Sequence, residues 1–282
     1  MGRTYTHPPI VEAVCEFRLS PETPWDLAIP GLLYETLRDR FPHRESRLLP
    51  ELGIEQSQAG IRQEIRTSER ILFFAEDRRM FIQVGPRLVA VNCLKPYPTW
   101  MQFKPIIAQT WQRLINTVAV KRIDRIGLRY INQINLAWND VELSQFFQFY
   151  PFLGPQLPQK MASFAVVSEF VLREMRDRCR VQLTSAEMGS PVITTVLLDI
   201  DYFLAQPNGG TIAEALDWVE TAHNEIEIVF EGCIPINYEL CLMSISNDVA
   251  FRYNPFNGDH FTTACKQLVG VSYPSVNERA DG

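Results

Sequence analysis

A chain of 282 residues with 46% hydrophobic and 21% charged side chains has the composition of an ordinary globular protein, long enough for one large domain or two small ones. Its net charge of −6 excludes the strongly basic balance of a dedicated nucleic-acid binder. Its apolar runs, such as Val196 to Leu198, stop far short of the ~20 residues a membrane helix needs.

The charge is unevenly spread: residues 1 to 140 carry a net +4 and residues 141 to 282 a net −10. Such polarity can orient a partner or a second copy of the chain. The six cysteines are scattered, with no pair at zinc-knuckle or redox spacing, so they read as buried reduced thiols. At the N-terminus Arg3 and His7 run straight into Pro8 and Pro9 without the apolar core of a signal peptide, and a cytoplasmic protein is expected.

Ile10 to Leu19 alternates, with Val11, Ala13, Cys15, Phe17 and Leu19 on one face and Glu12, Glu16 and Arg18 on the other, and reads as a first strand. Ile29 to Phe41 has its apolar residues at helical spacing and must end before Pro42. His43 to Gly60 reads as loop running into a strand. Three strands follow, near Ile61 to Thr67, Ile71 to Glu76 and Met80 to Leu94, the last bending at Gly85-Pro86. Thr99 to Val118 reads as a long helix with a buried stripe through Ile106, Ile107, Trp111, Leu114, Ile115 and Val118.

The middle of the chain, Lys121 to Leu136, alternates most cleanly. Ile126, Leu128, Tyr130, Ile134 and Leu136 fall on one face, and Arg125, Arg129, Ile131, Gln133 and Asn135 on the other. It is expected to be a central strand. Beyond it, Val141 to Phe149 reads as a short helix, and Met161 to Arg173, Cys179 to Glu187 and Val192 to Leu204 as a three-stranded meander. Thr211 and Glu214 form a capping box for a helix to about Phe230, with the stripe Ile212, Leu216, Val219, His223, Ile226 and Phe230.

From Asn247 the periodicity ends, and Phe251, Tyr253, Phe256, Phe261 and Tyr273 sit among turn residues, as in a strap over the chain's own surface or an arm for a partner. The expected fold class is α+β: two related halves, 1–138 and 139–246, each an antiparallel meander with a long helix on one face, arranged either as a pseudo-duplicated saddle or as one continuous curved sheet, followed by an aromatic tail or strap over 247–282.

Chemistry is sparsely signalled. Neither a phosphate loop nor a nucleophile elbow occurs. His223 alone of the four histidines falls on an apolar helix stripe, where a packed core residue is the plainer reading than a general base. Asp199 and Asp201 point the same way from one strand and could hold Mg²⁺ with a third acid such as Glu169 or Glu187, although alternating acids equally mark a solvent face. Arg125 and Arg129, about 13 Å apart along an extended strand, form with Lys121, Arg122 and Asn132 the candidate binding surface. It suits a phosphate or an acidic peptide, or equally a pairing with the acidic second half.

Four segments resemble a known group: HPPIVEAVCEFRL (7–19), RIGLRYINQI (125–134), LLDID (197–201) and AHNEIEIVFEGCI (222–234). In this order and spacing they resemble a sporadically distributed bacterial family of uncharacterised proteins that open with a Pro-Pro-Ile-Val-Glu-Ala motif. The resemblance spans about residues 7 to 245. It implies carriage on mobile or defence-type loci but brings no catalytic residue set. It directs attention to Pro8, Pro9, Glu12, Tyr130 and His223, as well as to Arg129, Asn132, Asp199 and Asp201.

Together these readings favour a non-catalytic binding or adaptor protein without a cofactor, whose partner is another protein or a second copy. A metal-dependent nuclease or phosphohydrolase on Asp199 and Asp201 is the first alternative, and a small-ligand sensor the second.

Overall fold

The computed structural model describes residues 8–57, 60–136, 142–186, 194–206 and 210–234. They form one nine-stranded antiparallel sheet: β1 (Ile10–Leu19), β2 (His43–Ser57), β3 (Gly60–Phe74), β4 (Met80–Gly85), β5 (Leu88–Leu94), β6 (Ile123–Leu136), β7 (Ala165–Leu172), β8 (Asp177–Ser185) and β9 (Thr194–Leu204). Their spatial order is β2-β3-β4-β5-β1-β6-β9-β8-β7. β1 and the expected pivot β6 lie side by side near the middle, Cys15 opposite Leu128 and Ala13 opposite Tyr130.

Three helices pack on one face: α1 (Ile29–Leu37), α2 (Trp100–Thr117) and α3 (Ala215–Cys233). Period-two alternation decides what they meet. Alternate residues such as Ala13, Cys15 and Phe17 of β1, Ile126 and Leu128 of β6, Val181 of β8 and Ile200 of β9 point into the helical layer and are wholly buried. The helix stripes close over them: Phe103, Ile106, Trp111 and Leu114 from α2, Val219, Ala222 and Ile226 from α3. Phe17 stacks on Trp111 at 4.6 Å between ring centres. Burying side chains of this size contributes about 2 kcal/mol each.

The helix starts have visible causes. Asp26 accepts from the backbone amides of Ala28 and Ile29, at 2.8 and 3.2 Å, ahead of α1. Thr99 accepts from the amide of Gln102 at the start of α2. Thr211 and Glu214 do exchange the hydrogen bonds of a capping box, but they close a turn before α3, whose regular part begins at Ala215.

Several sequence expectations are corrected. Residues 43–57 form strand β2 rather than loop, paired along their length with β3. The alternation there is hidden because an edge strand with charged side chains has no continuous apolar face. Residues 60–74 form one strand, not two. The bend at Gly85-Pro86 is a hairpin between β4 and β5. The helix expected over 141–149 is a single 3-10 turn at Leu143–Gln145, which places Leu143 and Phe147 in the core. Residues 247–282 lie outside the described residues.

A buried carboxylate fixes the second half. Asp177, fully enclosed at the start of β8, accepts from the Tyr202 hydroxyl of β9 and the Trp218 indole of α3, both at 3.0 Å, and from the Arg176 guanidinium at 2.6 Å. With its oxygens occupied by donors from several directions, the carboxylate holds helix and sheet in register.

Candidate functional site

The face of the sheet turned away from the helices carries a ladder of arginines and carboxylates. Arg129 of β6 grips Asp199 of β9 with Nε at 2.7 Å and with a second guanidinium nitrogen. Arg125 donates to Asp201 at 2.8 Å and to Glu16 of β1 at 3.0 Å, and Glu16 also takes Arg18 at 2.7 Å. Burial pushes Glu16 upward, but Arg18 and Arg125 outweigh it and hold the carboxyl below its usual value. Burial raises Asp201 against the pull of Arg125 and Arg129.

The local sequence makes room for this ladder. A Cβ on Gly127 would sit 2.5 Å from the Arg125 Nη1, so the missing side chain is what lets the guanidinium lie over the strand and reach Asp201. On β4, Gly85 does the same for Arg70, whose Cδ would be 2.5 Å from an added Cβ.

The candidate binding residues therefore separate. Arg125 and Arg129 share the ladder with Asp199 and Asp201. Arg122 lies at the strand's beginning, bonded to Asp124 at 3.1 Å and 3.6 Å from Glu22, and Lys121 is exposed just before it. Asn132 is on the opposite, helical face, buried, and donates to the Leu198 carbonyl at 3.1 Å. Its parity along β6 matches Tyr130, so alternation alone separates it from the arginines.

For the two aspartates, both Asp199 oxygens accept from Arg129, an arrangement that neutralises the charge a cation would need. Glu169 is bound by Arg178 at 2.7 Å and Arg180 at 3.1 Å, and Glu187 lies outside the described residues. Among the described residues no three His, Cys, Asp or Glu side chains converge as metal ligands.

A second cluster forms where α2 and α3 cross β6. His223 Nδ1 is 3.0 Å from the Tyr130 hydroxyl, which is 3.5 Å from that of Tyr97. His223 Nε2 lies 3.3 Å from Glu227, one helical turn on. One neutral tautomer satisfies this chain: Nε2–H donates to Glu227 while Nδ1 accepts from Tyr130. The Trp100 ring covers the imidazole at 4.1 Å, and its indole N–H donates to Glu220, which also holds Lys104 at 2.8 Å. Burial pulls the His223 pKa down to about 4, with Glu220 opposing and Lys104 adding to the shift.

The positions to which the resemblance directed attention mostly make scaffolding contacts. The Pro9 carbonyl accepts from the amide of Gln133, Glu12 is buried opposite Ile131 and Leu94, and Tyr130 and His223 join sheet to helix. Trp100, Lys104, Tyr97 and Asp177 were not singled out as site residues by sequence, since nothing in their spacing marks contacts made across 25 to 120 residues. Glu227, four residues after His223, was the one readable signal.

Accessible apolar surface gathers elsewhere, on the edge strand β7. Val167, Phe170 and Val171 are 54%, 45% and 55% exposed, and Met175 and Phe152 are also exposed. Beside the strand, under the end of α3, lies a groove of about 400 Å³ lined by Phe149, Phe170, Leu172, Cys179, Val181 and Val229 among others.

No described helix is long and apolar enough to cross a membrane. No family model matches the chain, and the search of curated proteins returns no match.

Proposed function

We propose that this chain is a non-catalytic binding or adaptor protein that acts through protein contacts, with the β7 edge as its contact surface. One observation carries the reading. Among the described residues, the arginine–carboxylate ladder and the His223 cluster are paired within the fold, whereas large apolar side chains stand exposed along β7, which has no further strand beside it. Val167 and Val171 stand on the face away from the helices and Phe170 on the helical face, so the exposed apolar side chains flank the edge from both sides, where an added strand would cover them. The resemblance to the sporadic bacterial family supports placing the protein on a mobile or defence-type locus.

The proposal of two related halves belongs with this reading. The order β1, α1, β2-β3-β4-β5, α2 is echoed, with no counterpart of β2, by β6, a 3-10 turn, β7-β8-β9, α3, and β1 pairs with β5 as β6 does with β9. On that correspondence β7 is the counterpart of β3.

The test is site-specific photo-crosslinking of the full chain in its host. A photoreactive residue at Val167 or Phe170 is expected to give protein adducts, and one at the fully exposed Leu27 none. Absence of adducts at Val167 and Phe170, or equal yields at Leu27, overturns the reading.

A further inference from the structure

Two edges of the same sheet are built differently. β2 is dressed with charge: Arg47 and Arg78 both bind Glu45, His43 binds Glu76 and Ser46 binds Glu69. Such edges resist pairing with another strand. β7, with the sequence AVVSEFVL, holds a single charged residue, Glu169, already matched by Arg178 and Arg180 of β8. It pairs with β8 on one side, and among the described residues no strand lies beyond it. Its counterpart β3 is covered by β2, whereas among the described residues nothing fills the equivalent seat beside β7.

We infer that this seat is taken by β7 of a second copy, in antiparallel register about a two-fold axis through Ser168, joining two nine-stranded sheets into one. The inference rests on the contact-surface reading above and names the partner. A two-fold perpendicular to the sheet keeps side chains on their own face, so opposing residues must share parity. Of the registers that keep most of the strand paired, centring on Glu169 sets like charges opposite each other, which is unfavourable. Centring on Ser168 sets Val166 opposite Phe170 of the second copy, Ala165 opposite Val171, and one small hydroxyl against another at the axis. Because Ser168 lies opposite Val181 in the β7–β8 pair, the Val166 and Phe170 contacts fall on the helix-bearing side, beside the groove, and continue the core layer across the junction.

Seven residues of β7, 165 to 171, at about 3.4 Å each give a ladder of ~24 Å. That is less than the roughly 800 Å² per partner of a standard interface requires by itself, so association in the micromolar range is expected.

Two experiments decide it. Sedimentation equilibrium of the full chain should show a reversible monomer–dimer equilibrium that Val167→Glu with Val171→Glu abolishes, because position 167 stands opposite Glu169 of the second copy and the change sets like charges against each other. Both positions are exposed, so an unchanged circular dichroism spectrum and melting curve are expected for the variant. In a background where Cys241 and Cys265 are Ser, Ser168→Cys should form an intermolecular disulfide under mild oxidation, because self-opposed residues bring Cα atoms within disulfide reach. Val166→Cys should not, since its copies would stand about 13 Å apart. A monomer at every concentration, or crosslinking at 166 and not at 168, overturns the inference. If β7 instead gives photo-adducts only with a different protein, the dimer is wrong and the contact-surface reading stands; no adducts at all sinks both.

Discussion

The hydroxyl of Tyr130 on β6 donates to Nδ1 of His223 on α3 across 3.0 Å, inside a cluster roofed by Trp100. The bond ties the central strand to the last helix, and both groups are buried. Tyr130→Phe keeps the ring and removes the donor, leaving the imidazole nitrogen unsatisfied. We expect a loss of about 1–3 kcal/mol in urea denaturation. A change within error would show that the chain from Tyr97 to Glu227 contributes nothing to folding.

The same histidine sets a pH dependence. Its folded pKa, about 4, lies below the 6.5 of an unperturbed imidazole. The unfolded chain therefore binds a proton between these values while the folded one does not, and stability falls as pH drops from 6.5 towards 4. Tyr130, Glu227, Glu220, Lys104 and Trp100 all face the ring, and the pull of Glu220 towards the charged form does not offset the burial. Against the wild type, His223→Gln is expected to flatten the denaturation midpoint over pH 6.5 to 4.5, a window that lies above most carboxylate titrations. An unchanged slope would contradict the burial argument.

Arg129 and Asp199 should behave as a buried pair. Arg129→Ala strands a carboxylate that is only 8% exposed and should cost about 3–5 kcal/mol. Replacing both, Arg129→Met with Asp199→Leu, should recover most of that loss, because packing offsets the removed charges. The measurement is a double-mutant cycle by chemical denaturation. Additive losses would mean that the two side chains do not interact.

Gly127 should resist enlargement although the ladder face is polar. Gly127→Val forces the Arg125 guanidinium off the strand, away from Asp201 and Glu16, and is expected to cost about 1–3 kcal/mol. In an Arg125→Ala background the same change should be much milder. Equal costs in the two backgrounds would place the obstruction elsewhere.

Asp177 is the severest test of the second half. Asp177→Ala leaves the Tyr202 hydroxyl and the Trp218 indole without their shared acceptor, and a loss above about 3 kcal/mol is expected by thermal melting. Exposed Met175, two residues away, should tolerate Ser with a change within about 0.5 kcal/mol.

Local pattern in the sequence determined most of the strands, the three helices and the α+β class, because burial on one face imposes period two or 3.6 whatever the partner. β1, β6 and α2 were readable for that reason, and β2 was not, since a charged edge strand needs no apolar face. The sequence also placed Arg125 and Arg129 on the polar face of a central strand and Asp199 and Asp201 together on another. Only the tertiary structure decided that these four satisfy one another, that Asn132 turns to the core, and that Trp100, Tyr130 and His223 meet. Those outcomes depend on which strand neighbours which and where helices cross them, and alternation along a single strand carries no information about either.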